Sequence, residues 1–273
     1  MGQQPYHPVP GRMSHLVAAD QDGIRTITFN RPEAKNALTL VMRAEFCELL
    51  EAADRETYIR AVIITGTDPV FTAGVDYKEI NPTFDPRQRQ FAVNPGRALR
   101  AMHTPVVCAV NGACVSGGLE IALSASFIVA SERARFADTH ARLDVVPAWG
   151  LTALLPRAVG LRKAREMSST GNFVDAGEAL HIGLVNHVVA HDDLIPFTRQ
   201  LVGQIADAPA VADVLSLYDQ GLDLGLNAAL ALETRHGAGV SWDADAFKAA
   251  GRAAAARQRN RSRTDLGGND EEP

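Results

Sequence analysis

The most informative segment of the chain reads Asn111-Gly112-Ala113-Cys114-Val115-Ser116-Gly117-Gly118-Leu119-Glu120. It follows the apolar run 106–110, which predicts a buried strand, and precedes the small apolar residues 121–125, which predict a helix. Glycines at such a turn can adopt positive φ and let the backbone approach a ligand closely. The free N–H groups of a helix start can stabilise a developing negative charge, and Glu120 would lie where a proton could be moved. The turn could equally be structural, with Glu120 only facing the helix dipole.

Length and composition indicate one large globular domain, alone or with a smaller appendage. The chain has 273 residues, of which 46% are hydrophobic and 22% charged. Its formal net charge of −5 argues against a general nucleic-acid-binding protein. No apolar run approaches the roughly 18 residues that a membrane span needs. We therefore expect neither a nucleic-acid partner nor a membrane span.

Cysteine usage points to a reducing compartment. The three cysteines, Cys47, Cys108 and Cys114, form no CxxC pair and favour neither a disulfide framework nor a zinc site. The first twelve residues contain three prolines and no apolar core, which is unlike a secretory signal. The expected location is the cytoplasm, and no metal site is expected.

The order of predicted elements indicates an α/β fold. Buried strands are predicted at 24–30, 61–65, 106–110 and 127–130, with a helix over 38–55 whose apolar residues recur at helical spacing. From about residue 151 the chain becomes mostly helical, with one long helix predicted over 194–223. We expect four regions: a disordered lead-in over 1–15, the core over 16–200, a helical C-terminal region over 201–260 and a polar tail over 261–273. Residues 81–94 are interpreted as a mobile surface segment.

Two loops stand out together, 71–76 (Phe71-Thr72-Ala73-Gly74-Val75-Asp76) and 115–118 (Val115-Ser116-Gly117-Gly118). Each follows a predicted buried strand, so neighbouring strands would bring both loops to the same edge of the sheet. One backbone N–H group from each loop could then converge on a carbonyl oxygen and form an oxyanion hole. No GxSxG motif is present, and no serine with a paired histidine is evident nearby. The pattern therefore favours stabilisation of an enolate over an acyl-enzyme.

With these two loops the chain resembles the enoyl-CoA hydratase/isomerase (crotonase) superfamily. The resemblance extends over about residues 16–189, in the order and spacing of that family. It implies a fold of repeated ββα turns with a C-terminal α-helical region that builds trimers, often paired into hexamers. The matching segments are Asn30-Arg31-Pro32-Glu33-Ala34-Lys35-Asn36-Ala37-Leu38, 71–79, 111–120, Arg133-Ala134-Arg135-Phe136-Ala137, Pro156-Arg157-Ala158-Val159-Gly160, Ala176-Gly177-Glu178-Ala179 and Gly183-Leu184-Val185.

The same resemblance implies an acyl-CoA thioester as substrate and no metal or redox cofactor, since coenzyme A is part of the substrate. By position in the motifs, the oxyanion donors would be the backbone N–H groups of Val75 and Gly117. Residues expected to contact CoA or substrate are Lys35, Ala37, Leu38, Ala73, Asp76, Tyr77, Lys78 and Trp149. For Lys35 and Lys78 a solvated surface charge is an equal alternative. Trp149 would narrow an acyl pocket, or be an ordinary core aromatic.

In hydratases that resemble this chain, two glutamates share the addition of water. One falls at Glu120, and the other, counted from Phe136, falls at His140, where this chain has no carboxylate. An imidazole titrates near neutrality and could act as acid or base there. His140 could instead only hydrogen-bond to Asp138 or Thr139. Asp144 could orient His140, although an exposed loop acid is the simpler interpretation.

The leading hypothesis is a 2-enoyl-CoA hydratase that forms a 3-hydroxyacyl-CoA through an enolate. Glu120 would activate water, and His140 would move the α-proton. The alternatives are an enoyl-CoA double-bond isomerase of the same fold and a non-catalytic acyl-CoA-binding paralogue, which the missing second glutamate would explain.

Overall fold

The computed structural model describes residues 4–5, 15–79, 93–205, 210–240, 243–245, 247–252 and 255. The predicted polar tail, most of the lead-in and most of the predicted mobile segment lie outside these residues. Gln4 and Pro5, within the predicted lead-in, form a short strand, β1, which pairs with Asp20 and Ala19. Asn94, at the end of the predicted mobile segment, caps a helix by accepting a hydrogen bond from the Arg97 N–H.

The larger sheet has seven strands in the order β1-β2-β3-β4-β6-β8-β11. The first three are antiparallel and the rest pair in parallel. β4 and β6 are buried along their whole length, as their continuous apolar runs predicted. The strands after β1 are β2 (Leu16–Gln21), β3 (Ile24–Phe29), β4 (Ala61–Gly66), β6 (Val106–Val110), β8 (Phe127–Ser131) and β11 (His187–Val189).

A second sheet holds four short strands in the order β10-β9-β7-β5. Each of β5, β7 and β9 directly follows a strand of the larger sheet, so the chain alternates between the two sheets and then enters a helix. This is the ββα repeat, and the predicted α/β class is confirmed. The four strands are β5 (Val70–Thr72), β7 (Ala113–Val115), β9 (Arg135–Ala137) and β10 (Val174–Asp175).

Nine α-helices have both ends within the described residues, and residues 244–245, 247–252 and 255 are helical as well. The prediction of one helix over 194–223 was wrong, because α7 ends at Val202 with Gly203 as its C-cap and α8 begins at Ala210. The helices are α1 (Leu40–Arg55), α2 (Pro95–Arg100), α3 (Gly117–Leu123), α4 (Leu151–Val159), α5 (Leu161–Thr170), α6 (Ala176–His181), α7 (Leu194–Val202), α8 (Ala210–Gly221) and α9 (Leu226–Gly239).

Helix α1 covers one face of the larger sheet and shows why the sequence folds as it does. Thr39 caps it by accepting a hydrogen bond from the Met42 N–H. Its buried side chains recur at helical spacing and pack in the main core with Phe29 and Phe71, whose rings meet edge to face. The buried residues of α1 are Met42, Arg43, Phe46, Leu49, Leu50 and Ala53. All but Arg43 are apolar.

The chain forms two compact units, Met1–Leu215 and Ser216–Pro273. The first holds both sheets and every candidate site residue, and the second holds α9. Among the described helices, none combines the length and the apolar character that crossing a membrane requires.

Candidate active site

The glycine turn has the predicted form, a strand followed by a tight turn and a helix. β7 ends at Val115, and α3 begins at Gly117. Ser116 between them has a φ of 47°, which is unusual for a residue with a side chain. Its hydroxyl bonds to the Thr139 hydroxyl at 2.7 Å and accepts from the Thr139 N–H at 3.0 Å. Ser116 therefore fastens the turn to the segment that carries His140.

Glu120 lies on the first turn of α3 with its carboxylate turned into the protein. The residue is 2% exposed. Its Oε1 accepts hydrogen bonds from the backbone N–H groups of Trp149 at 2.6 Å and Leu151 at 3.3 Å. The start of α4 thus fixes one carboxylate oxygen, and Oε2 is left to face other groups.

His140 lies beside Glu120 and bridges it to a second acid. The Nε2 atom of His140 is 3.7 Å from Glu120 Oε2, and its Nδ1 atom is 2.6 Å from Asp138 Oδ1. Asp138 Oδ1 also accepts from the His140 backbone N–H at 3.2 Å. With Asp138 ionised, Nδ1–H donates to it and the Nε2 atom faces Glu120. The structure brings together the two predicted catalytic side chains.

The pKa values of the two acids in this cluster, Glu120 and Asp138, are shifted in opposite directions. Burial raises the pKa of Glu120, against the lowering effects of the Trp149 N–H and of His140. For Asp138, burial alone would raise the pKa, but hydrogen bonds from the His140 and Ser168 side chains outweigh it, and the pKa is lowered. Asp138 is therefore the fixed anion, and Glu120 is the carboxyl group suited to exchanging a proton.

The second predicted loop packs directly against the glycine turn. Gly74 has a φ of +88°, and a Cβ at this position would lie 3.1 Å from the Gly117 nitrogen and 2.8 Å from the Val115 carbonyl oxygen. Only glycine permits both the conformation and the approach. The loops that carry Val75 and Gly117 are therefore adjacent.

The backbone N–H groups of Val75 and Gly117 are unused by the described residues. Val75 pairs with Leu38 in an isolated parallel bridge. The two hydrogen bonds of this bridge run from the Leu38 N–H to the Gly74 oxygen at 2.8 Å and from the Asp76 N–H to the Leu38 oxygen at 3.0 Å. In a parallel bridge this leaves the N–H of Val75 itself pointing to the other side. Gly117 opens a helix, where the first N–H groups have no intrahelical partner.

The predicted CoA contacts come from two segments that lie side by side. The Ala73 N–H donates to the Lys35 oxygen at 3.0 Å, and the bridge at Leu38 continues the pairing. Lys35, Tyr77 and Lys78 are exposed, Ala37 and Ala73 are half-buried, and Leu38 is buried. The arrangement gives an exposed rim with two lysines beside the loop of Val75.

Asp76 is buried and bound within the protein. Its Oδ2 accepts from Arg31 Nη1 at 2.5 Å, and its Oδ1 accepts from the Lys78 N–H at 3.0 Å. The Arg31 hydrogen bond lowers the pKa of Asp76, against the effect of burial. Arg31 also donates to the Ala37 oxygen at 3.2 Å. This pair fastens the two segments of the rim together.

Trp149 lies directly behind the glycine turn. It is 1% exposed, and a Cβ on Gly117 would come within 2.9 Å of its Cζ3 atom. The guanidinium of Arg43, from α1, lies 5.6 Å from the centre of the indole ring. Trp149 is thus both a core aromatic and a neighbour of the predicted oxyanion donor.

Of the partners that the sequence offered for His140, Asp138 holds the imidazole ring, whereas Asp144 is exposed and ends the short helical turn Ala141–Leu143. Arg43 was unnoticed, although a charge on an apolar helix face was a visible signal. Within the described part of the chain, no group of three or more His, Cys, Asp or Glu side chains could hold a metal ion.

Known proteins share this architecture. The family model described as enoyl-CoA hydratase/isomerase matches residues 19–243. An enoyl-CoA hydratase structure from Mycobacterium tuberculosis H37Rv is 42% identical with a TM-score of 0.68, covering 81% of this chain and 96% of that one. One from Bacillus anthracis is 29% identical with a TM-score of 0.78, covering 83% and 91%.

A curated relative extends the match to a named activity. The short-chain-enoyl-CoA hydratase of Clostridium acetobutylicum is 32% identical over 228 residues, which are 81% of this chain and 87% of that protein. The family model covers well over half of the chain, and the relatives are matched over most of their length. The chain belongs to the enoyl-CoA hydratase/isomerase family.

Proposed function

We propose that this protein is a 2-enoyl-CoA hydratase, which adds water to the double bond of an enoyl-CoA thioester to give a 3-hydroxyacyl-CoA. The observation that carries the proposal is the facing pair of Glu120 and His140, 3.7 Å apart, behind two adjacent loops with unused N–H groups. Family membership supports an acyl-CoA substrate. The relative from Clostridium acetobutylicum carries the name of this activity.

Binding would polarise the substrate. The thioester oxygen would accept hydrogen bonds from the N–H groups of Val75 and Gly117, which draws electrons away from Cβ. Such donors are worth a few kcal/mol each when negative charge develops on the oxygen. The rim formed by Lys35, Ala73 and Lys78 would hold the CoA portion, with the lysines near its phosphates.

The addition itself needs one base and one acid. Glu120, ionised, would take a proton from water as the water oxygen bonds to Cβ, and the electrons of the double bond would pass to the thioester oxygen. His140, protonated, would deliver a proton from Nε2 to Cα as the enolate collapses. Glu120 then holds the proton that His140 lacks, and its return to Nε2 resets the pair. The reaction is redox-neutral and calls on no further cofactor.

Asp138 would support this cycle without touching the substrate. Because it accepts the Nδ1–H of His140, the ring presents Nε2 to Glu120 in both charge states. Its low pKa keeps it ionised and stabilises the imidazolium. A histidine can in this way stand at the position of the missing second glutamate.

The test compares wild type with Glu120→Gln and His140→Asn, using the loss of the enoyl thioester's ultraviolet absorbance with crotonyl-CoA and trans-2-hexenoyl-CoA. Each variant should lower kcat by about 10² to 10⁴, the range typical of general acid–base catalysis. Glu132→Gln and His103→Asn make the same changes on exposed residues and should retain full activity. Wild type that binds these thioesters without hydrating them would overturn the proposal.

Product analysis separates the alternatives. A 3-enoyl-CoA that is converted to the 2-enoyl isomer faster than any 2-enoyl-CoA is hydrated would identify an isomerase. Thermal stabilisation by acyl-CoA with background turnover of every thioester would identify a binding protein.

We further propose that the protein acts in the cytoplasm as a trimer or a dimer of trimers, as its family resemblance implies. The free cysteines fit a reducing compartment. Leu226 and Leu230 lie one turn apart on α9 and are both exposed, which gives an apolar surface of the kind that subunits cover. Light scattering coupled to gel filtration would give the mass, and a monomer would contradict the assembly.

A further inference from the structure

A buried arginine occupies a core position of helix α1. Arg43 lies three residues before Phe46 and seven before Leu50, on the apolar face of the helix. It is 5% exposed, and burial lowers its pKa. Charged side chains are rarely buried to this extent unless they are paired. The position therefore requires an explanation beyond packing.

No described acid forms a salt bridge with this guanidinium. Its Nε donates to the Thr39 carbonyl oxygen at 3.4 Å, and its Nη1 is buried without a hydrogen-bond partner. Glu79 is the nearby acid that attracts it, but the Glu79 carboxylate accepts the Leu40 N–H at 2.7 Å. A buried donor without an acceptor costs about 1–3 kcal/mol, and more when it is charged.

The neighbouring indole also has a buried hydrogen-bond donor without an acceptor. The Nε1–H of Trp149 is also buried and without a partner among the described residues. The Arg43 guanidinium lies 5.6 Å from the centre of this ring, and the ring also packs against Gly117, one of the proposed oxyanion donors. A second guanidinium, that of Arg100, donates to the Trp149 carbonyl oxygen at 2.8 Å. Two guanidinium groups therefore lie beside Trp149, together with one carboxylate, that of Glu120, which accepts the Trp149 backbone N–H.

We infer that the acyl group of the natural substrate ends in a carboxylate, which Arg43 and the Trp149 indole N–H bind beyond the oxyanion site. This inference rests on the proposed function, whose substrate class it narrows to CoA monothioesters of enedioic acids. Trp149 packs against Gly117, so an acyl chain whose thioester is held at Gly117 would begin beside the indole ring. Rotation about the bonds of the long Arg43 side chain would then bring Nη1 to the carboxylate.

The chemistry of the donors favours a carboxylate over an apolar terminus. A guanidinium presents a planar fork that matches two carboxylate oxygens, and the pair is stronger than a neutral hydrogen bond. A methyl terminus would leave both donors unpaired and the cation uncompensated. Sites built around a polar group reject analogues that lack it by large factors. We expect a preference of at least about tenfold.

Binding of saturated ligands tests the inference without catalysis. Calorimetry would compare adipyl-CoA with hexanoyl-CoA, which have the same chain length and differ only in the terminal group. Wild type should bind adipyl-CoA at least about tenfold more tightly. Arg43→Met should abolish that preference, Arg43→Lys should retain part of it because the charge remains, and Trp149→Phe should weaken it. Equal or weaker binding of adipyl-CoA by wild type overturns the inference, whatever the variants do.

Turnover separates this inference from the proposed function. Wild type should hydrate trans-2-hexenedioyl-CoA with a higher kcat/KM than trans-2-hexenoyl-CoA, and Arg43→Met should reverse the order. Hydration of both with the apolar substrate preferred would retain the proposed function and reject the carboxylate site. Tighter adipyl-CoA binding without any hydration would retain the carboxylate site and reject the hydratase. Arg43→Met should unfold at no lower temperature than wild type, since it removes an unpaired buried charge.

Discussion

The Nε2 atom of His140 lies 3.7 Å from Oε2 of Glu120, and the Glu120 side chain is 3% exposed while that of His140 is 13% exposed. This is too long for a direct hydrogen bond but short enough for both atoms to contact one small reactant. Asp138 fixes the far side of the ring at 2.6 Å, and the start of α4 fixes the other oxygen of Glu120. The two facing atoms are therefore held in place from behind, which is the arrangement that acid–base exchange requires.

Glu120→Gln should be more stable than wild type at neutral pH. Burial raises the pKa of Glu120 in the folded chain, so the folded state binds this proton more tightly than the unfolded state. The resulting stability is complete below the unfolded pKa and is lost as pH rises through the folded pKa. Glutamine cannot ionise, and its oxygen can still accept the Trp149 N–H. In urea denaturation from acidic to neutral pH, the free energy of unfolding of the variant should rise relative to that of wild type, by about 1.4 kcal/mol for each tenfold difference in proton affinity between the folded and unfolded states.

Glu132→Gln provides the control for this comparison. Glu132 is exposed, so its replacement should change the free energy of unfolding by no more than about 0.5 kcal/mol. A Glu120→Gln curve that runs parallel to wild type would contradict the raised pKa.

Asp138→Asn should lower kcat while leaving KM nearly unchanged. Asparagine keeps an oxygen for the Nδ1–H of His140 but removes the charge that stabilises the imidazolium. The loss should be roughly tenfold or more, a part of the contribution of general acid–base catalysis. A positioning role predicts this split between kcat and KM, which steady-state kinetics would measure. An unchanged kcat with a higher KM would assign Asp138 to substrate binding instead.

The stability difference between Asp138→Asn and wild type should depend on pH in the opposite direction from that of Glu120→Gln. The pKa of Asp138 is lowered, so its contribution is present at neutral pH and is lost as pH falls through the folded pKa. At neutral pH Asp138→Asn should cost about 1–3 kcal/mol. The gap to wild type should close on acidification, and a gap that widens there would reject the assignment.

Gly117→Ala should destabilise the chain because of one specific neighbour. Its new Cβ would lie 2.9 Å from Trp149 Cζ3. Overpacking of this kind costs about 1–3 kcal/mol, and Trp149→Leu should relieve it. A double-mutant cycle from urea denaturation should therefore give a favourable coupling of about 1 kcal/mol between the two changes. At Gly118 an added Cβ meets Thr72 instead, so Gly118→Ala and Trp149→Leu should be additive.

Features encoded locally could be predicted from the sequence. The buried strands β4 and β6 have continuous apolar runs, and α1 has helical apolar spacing with a threonine cap. The turn before Glu120 was visible in its glycines. The ordered motifs then led to the family and, through it, to the position of His140.

Features that depend on long-range contacts could not be predicted in the same way. β5, β7 and β9 are too short to leave a periodic pattern, and their pairing sets how the two loops meet. The sequence offered both Asp138 and Asp144 as partners of His140, and only the backbone after β9 shows that Asp138 binds the ring. The contact between Arg43 and Trp149 joins two residues that are far apart in the sequence, so it could not be predicted. Only the burial of Arg43 could have been suspected, from its position on the apolar face of α1.

At position 116 the glycine variant should be more stable than the alanine variant, which reverses the order usual in helices. It is held at a φ of 47° by two hydrogen bonds to Thr139. Ser116→Ala and Ser116→Gly both lose these bonds, but only alanine keeps the strain of a Cβ at positive φ, which costs about 1 kcal/mol or more. The glycine variant should therefore be the more stable of the two in urea denaturation. Both should have a lower kcat, because the turn is no longer fastened to the His140 segment.

Ser169, exposed within α5, is the matched control for this order. There the alanine variant should be more stable than the glycine variant by roughly 0.5–1 kcal/mol, since glycine has the greater freedom to lose in a helix. If position 116 followed the same order as position 169, the backbone of Ser116 would carry no strain. The turn would then owe its shape to the glycines that follow it, and the hydrogen bonds to Thr139 would serve only to hold His140 beside Glu120.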